Sequence, residues 1–286
     1  MLMQLEPVLV EHDPDWVLVY GDTNSTLAAA ICATKLHLRL AHLEAGLRSF
    51  NRRMPEEHNR VLTDHSADLC LAPTQVAMDH LEREGLAERS ILVGDVMTDV
   101  LLDVARRVTE ERVASPISAG VEFVLATMHR PDNTDDPHRL AEILDSLAAL
   151  EVPVYLAAHP RLVHKAKTFG LHLGRGSVIT VPPLSYPQLV QAVLDATAVV
   201  TDSGGLQKEA FLLGTPTTTV RSETEWVETL SGGWNQLVDH PKDIPLAVGR
   251  QAPTAERGAP YGDGHAADRV IATLASLAES ERVAYA

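Results

Sequence analysis

Short apolar runs recur along the chain, and each is followed by a longer stretch whose apolar residues return every three or four positions. The runs at 16–20, 39–43, 69–72 and 91–93 read as strands. So do those at 123–127, 154–157, 178–181, 198–201 and 217–220, with a further short one at 236–238. Most are rich in Val, Leu, Ile and Ala, as expected of strands buried on both faces of a parallel sheet. Between them, helical periodicity predicts helices over 26–35, 57–65, 76–84 and 99–113, then over 137–150, 162–168, 186–195, 206–213 and 266–280. The chain opens on another helix-like segment, 3–11. Strand alternating with helix predicts an α/β fold of doubly wound sheets, with ligands at the carboxyl ends of the strands.

The stretch from Ala114 to Gly120 has the composition of a linker. The expectation is two Rossmann-like doubly wound domains facing a cleft, residues 1–115 and 116–286, with the final helix packing back on the first domain. The strand pattern is thinner in the first part than in the second. The opening helix leads straight into strand 16–20, which suggests an incomplete first domain. No solenoid repeat or low-complexity tract is visible.

Composition narrows the partners. The 286 residues are 45% hydrophobic but only 4% aromatic, so the cores must be aliphatic. A net charge of −15 argues against nucleic acid or an anionic membrane. A small anion is still possible, held locally by arginines and helix N-termini. The two cysteines, Cys32 and Cys70, lie among apolar residues and read as buried thiols in a reducing compartment. The spacing of candidate ligands offers no metal site, and no membrane span or secretory signal is evident. A cytoplasmic location is the expectation.

Polar clusters follow several of the predicted strands. Thr201-Asp202-Ser203-Gly204-Gly205 separates a strand from a helix, an arrangement that points free backbone N–H groups at a phosphate. The alternative is a plain helix cap on Asp202 or Ser203 beside a tight turn. Gly21-Asp22-Thr23-Asn24-Ser25 follows the first strand, and His42-Leu43-Glu44 ends the second. Pro55-Glu56-Glu57 opens a helix, where acids suit the helix end without any catalytic role. His129-Arg130 follows the strand that opens the second part. Each cluster alone has a structural explanation. Together, three acids and an imidazole at strand ends, with a phosphate-binding turn, suit proton abstraction from a phosphorylated sugar.

These residues resemble the non-hydrolysing UDP-N-acetylglucosamine 2-epimerases, which share a glycosyltransferase-B-like pair of Rossmann domains. The resemblance rests on Tyr20-Gly21-Asp22-Thr23, on His42-Leu43-Glu44-Ala45-Gly46-Leu47-Arg48, and on Pro55-Glu56-Glu57-His58-Asn59-Arg60. It continues through Leu62-Thr63-Asp64-His65, Ala72-Pro73-Thr74, His129-Arg130, Thr201 to Gly205, and Pro260-Tyr261-Gly262-Asp263-Gly264, in family order over nearly the whole chain. It implies an isomerase without metal or other cofactor. A base takes the C2 proton while UDP leaves C1, a 2-acetamidoglucal forms, and UDP adds back with protonation on the other face. It places Asp22, Glu44, Glu56 and His129 at catalytic positions. Ser203, Gly204 and Gly205 fall on the diphosphate turn and Glu209 on the ribose acceptor. Arg60 and His159 match further active-site or ligand positions. A role in cell-surface polysaccharide biosynthesis and a homodimer are family expectations.

The chain departs from that pattern at its start, where family members carry a Gly-Thr-Arg-Pro-Glu turn followed by a lysine. On the family's length, about 70 residues are missing, including a central strand. A mis-assigned start and a truncated, inactive nucleotide-sugar-binding remnant are the two explanations. A third reading concerns the sugar. Arg221 to Glu228 and the lead-in Ser49-Phe50-Asn51-Arg52-Arg53 resemble the branch containing epimerases of UDP-diacetamido-glucuronic acid. In that case Arg52, Arg53 or Arg221 could meet a uronate carboxylate; the alternative is that they are surface charges.

Overall fold

The computed structural model describes residues 1–117 and 120–284. Its contacts divide the chain into two units, Met1–Val100 with Ala259–Ala286, and Leu101–Gly258. The expected linker at Ala114 to Gly120 includes residues 118 and 119, which lie outside the described residues.

The first unit holds a parallel sheet in the order β1-β2-β3-β4, from Val17–Tyr20, Leu40–Leu43, Leu69–Ala72 and Ser90–Leu92. β2 and β3 are buried along their whole length, β3 as an apolar run and β2 with the polar His42 among its apolar residues. Helices α1 (Leu2–His12), α2 (Asn24–Lys35), α3 (Pro55–Ser66) and α4 (Gln75–Arg83) alternate with the strands. β1 lies at an edge, pairing with β2, and a cavity of about 590 Å³ beside it is lined by Met1, Leu5, Leu18, Tyr20 and Ala29 among others. Cys70 is buried in this sheet, and burial pushes its thiol up to about 12.

α5 (Val96–Glu110) runs from the first unit into the second. The second unit carries β5 (Val124–Thr127), β6 (Val154–Ala157), β7 (Val178–Val181), β8 (Ala198–Thr201), β9 (Thr217–Thr219) and β10 (Asn235–Leu237). Their order is β10-β9-β8-β5-β6-β7, all parallel. Strand order therefore reverses between β5 and β8, the place where open α/β sheets bind ligands. Helices α6 (Pro131–Thr134), α7 (Pro137–Ala148), α8 (Pro160–Phe169), α9 (Tyr186–Asp195), α10 (Gly204–Leu213) and α11 (Ile244–Val248) complete it. One aliphatic cluster packs α7 against the sheet through Leu140, Ile143, Leu144 and Leu147. Another, with Leu125, Val193, Val199 and Ala210, fills the opposite side with α9 and α10.

The last helix, α12 (Ala266–Ala284), belongs to the first unit. Val270 joins the core of Ala41, Leu43, Leu69 and Leu71. Asp99 accepts from the N–H groups of Ala266 and Ala267 at 3.1 and 2.8 Å, capping that helix from α5.

Candidate active site

In the second unit, the reversal point of the sheet carries a polar floor. Thr127 at the end of β5 and Thr201 at the end of β8 are register partners, and their hydroxyls are 2.7 Å apart. The Thr201 hydroxyl accepts from the Ser203 N–H at 2.9 Å, which bends the chain into the start of α10. Ser203 is the N-cap, accepting from the Leu206 N–H at 3.3 Å. Asp202 does not cap. It points down and accepts from the N–H groups of His129 and Arg130 and from Asn133, at 2.9 to 3.1 Å. That carboxylate, fully buried, ties the turn after β5 to the turn after β8.

A cavity of about 370 Å³ opens above this floor, lined by His129, His159, Tyr186, Ser203, Gly205 and Glu209 among others. The rings of His129 and His159 are 5.4 Å apart, and His159 caps α8. Burial pushes His129 below the ordinary imidazole value; Asp202 pulls the other way, and His159, Arg130 and Arg161 add to the lowering. The lowering favours the neutral imidazole, the form that accepts a proton. Glu209 is buried in α10 and takes a hydrogen bond from the Tyr186 hydroxyl at 2.9 Å. The first turn of α10 offers N–H groups and the positive end of a helix dipole. Glu225 crowds Gly204: a Cβ there would stand 2.5 Å from its Oε1, so the carboxylate paired with Arg221 would have to move.

The first unit gathers the acids at the ends of β1 and β2. Asp22 binds Arg60 at 2.9 Å, and Arg60 also binds Glu57 at 2.7 Å. Asn59 donates to the Asp22 carbonyl at 2.8 Å. Glu44 is half-buried, with φ of 68°, and its carboxylate lies against Gly21. Glu56 is exposed in the first turn of α3. Glu57, its neighbour, turns inward and accepts from Ser49 and Phe50 N–H groups at 2.9 Å. Among the described residues, no group of three or more His, Cys, Asp or Glu is placed to hold a metal ion. None of their helices is long and apolar enough to cross a membrane.

The family model described as UDP-N-acetylglucosamine 2-epimerase matches residues 1–275. The chain belongs to the UDP-N-acetylglucosamine 2-epimerase family. A UDP-2,3-diacetamido-2,3-dideoxy-D-glucuronate 2-epimerase of Pseudomonas aeruginosa is 44% identical, over 97% of this chain and 79% of that one. The UDP-N-acetylglucosamine 2-epimerase of Escherichia coli K12 is 32% identical over 96% and 79%. The fold agrees as well. A crystal structure of the Methanocaldococcus jannaschii UDP-GlcNAc 2-epimerase, in complex with UDP-GlcNAc and UDP, superposes with a TM-score of 0.84 at 34% identity, covering 96% of this chain and 79% of that one. The pair of parallel sheets is the glycosyltransferase-B-like architecture of these 2-epimerases.

Of the residues singled out in the sequence, Asp22, Glu44 and Arg60 converge in the first unit. His129, His159, Ser203, Gly204, Gly205 and Glu209 converge in the second. Arg52 and Arg53 are exposed, whereas Arg221 is buried against Glu225 at 2.9 Å. Three supporting residues escaped the sequence reading: Asp202 as the tie between turns, Glu57 as the inward acid, and Tyr186 as the partner of Glu209. Only Glu57 left a usable signal, since a helix starting at Pro55 places residues 57 and 60 on the same face.

Proposed function

We propose that this UDP-sugar 2-epimerase interconverts UDP-N-acetylglucosamine and UDP-N-acetylmannosamine. The observation that carries the reading is the sheet-reversal site of the second unit: a capped, glycine-opened helix start beside His129 and the buried acid Glu209. Ser203, Gly204 and Gly205 hold the diphosphate through backbone N–H groups, which suits a group that departs with its charge. Glu209 accepts the ribose hydroxyls.

Asp22, Glu44 and Glu56, with His129, carry the proton transfers. One group removes the C2 proton as the C1–O bond to UDP breaks, giving the 2-acetamidoglucal. UDP then re-forms the C1–O bond while a proton is delivered to the opposite face of C2. Elimination and addition balance, so no redox partner is required. The homodimer and the cytoplasmic location belong to this proposal.

A second reading takes UDP-2,3-diacetamido-glucuronate as substrate. The 44% identity to the Pseudomonas relative favours it. Rates with the two UDP-sugars, followed by NMR of the anomeric region, decide between them. Turnover of UDP-N-acetylglucosamine at the higher kcat/KM supports the main reading, and a clear preference for the uronate overturns it.

A further inference from the structure

His42 and Asp64 are both fully buried, and their side chains meet at 2.5 Å through Nδ1 and Oδ1. The other ring nitrogen, Nε2, lies 2.8 Å from the Gly21 carbonyl. Burial opposes the charge on Asp64, but the contacts with His42 and Arg48 outweigh it and hold the carboxyl below its ordinary value. Each ring nitrogen therefore faces an acceptor, Nδ1 the Asp64 carboxylate and Nε2 the Gly21 carbonyl. The second oxygen of Asp64 accepts from the Gly46 N–H at 3.0 Å and binds Arg48 at 2.7 Å.

One imidazole and one carboxylate thus tie together two turns, the one carrying Asp22 after β1 and the one carrying Glu44 after β2. Both turns use left-handed backbone, with φ of 60° at Gly21, 68° at Glu44 and 83° at Gly46. For a glutamate that conformation costs about 1 kcal/mol and persists where its surroundings over-determine it. The turns also touch, since a Cβ at Gly21 would stand 3.2 Å from Glu44 Oε2.

We propose that His42, backed by Asp64, is a positioning residue: its hydrogen bond to the Gly21 carbonyl sets the carboxylates of Asp22 and Glu44 for proton transfer at C2. The inference rests on the epimerase reading above. Its rival is a purely structural role, in which the ring merely neutralises a buried Asp64. The two roles use different ring nitrogens, and amides separate them. An asparagine nitrogen stands near the position of Nδ1 and keeps the contact with Asp64. A glutamine nitrogen stands near Nε2 and keeps the contact with Gly21.

The experiment compares wild type, His42→Asn and His42→Gln in C2 proton–deuterium exchange, UDP affinity and circular dichroism. His42→Asn is expected to lose about 100-fold in kcat, the scale of a misplacement near 1 Å. Its KM and UDP affinity are expected within about threefold of wild type, since no ground-state contact is lost. His42→Gln is expected to retain kcat to within about tenfold. A larger loss in His42→Gln than in His42→Asn assigns the ring to Asp64 and overturns the proposal. An unfolded His42→Asn, or one with wild-type kcat, overturns it as well. A wild type that exchanges no C2 proton overturns the epimerase reading and this inference together; an active wild type with an unaffected His42→Asn overturns the inference alone.

Discussion

Tyr186 donates its phenolic hydrogen to Glu209 at 2.9 Å, so α9 holds the buried acid that α10 presents to the cavity. Removing that hydroxyl in Tyr186→Phe costs about 0.5–1.5 kcal/mol, the worth of one such hydrogen bond. The expected outcome is a rise in the UDP dissociation constant of about two- to tenfold by calorimetry. Glu209→Gln replaces charge-assisted hydrogen bonds by neutral ones and is expected to weaken UDP further.

Gly46 and Gly85 separate backbone strain from collision. Both have positive φ, 83° and 75°. A Cβ at Gly46 would stand 2.4 Å from the Ala77 carbonyl oxygen, whereas nothing lies within 4 Å of one at Gly85. Gly46→Ala is expected to cost about 3 kcal/mol or more in urea denaturation, combining backbone strain with overpacking. Gly85→Ala should cost only the left-handed penalty, about 1–2 kcal/mol.

Acid should unfold the first unit through Asp64. Its pKa is lowered in the folded chain, so its contribution is complete above the unfolded value of about 3.9 and is lost as pH falls through the folded value. In Asp64→Asn the stability curve below about pH 4 is expected to flatten, on top of a lower plateau at neutral pH caused by loss of the Asp64 charge beside His42 and Arg48, the latter keeping Glu84 as a carboxylate partner.

His129 acts in a higher window. Its folded pKa lies below the ordinary imidazole value, so the unfolded chain binds the proton more readily. Stability is complete above about pH 6.5 and declines as pH falls toward the folded value. His129→Asn is expected to remove that part of the pH dependence, measured as denaturation midpoints between about pH 5 and 7.

Strands were the most legible elements in the sequence. The strands expected at 69–72, 154–157, 178–181 and 198–201, each mostly apolar, span those same residues in the structure. Helix starts were less legible. α2 begins at Asn24, α3 at Pro55 and α10 at Gly204, each ahead of the point where apolar periodicity sets in. A first turn is built from capping and polar residues, which carry no 3.6-residue signal. α5 differs at both ends, spanning Val96–Glu110 where periodicity predicts 99–113.

The Ser-Gly-Gly segment was visible as the turn from a strand into a helix, and Ser203 caps that helix. The roles of Asp202, Asp64 and His42 were not. Each acts through a partner more than fifteen positions away in sequence, such as His129 for Asp202 and Gly21 for His42. Such pairings depend on strand order, which spacing alone does not reveal.

Deuterium at C2 tests the central claim most directly. Wild-type protein incubated with UDP-N-acetylglucosamine in deuterated water is expected to yield UDP-sugar labelled at C2. Glu56→Gln is expected to bind UDP as wild type does and to introduce no label. Wild-type product without deuterium at C2, or a Glu56→Gln variant that exchanges at the wild-type rate, would contradict the account.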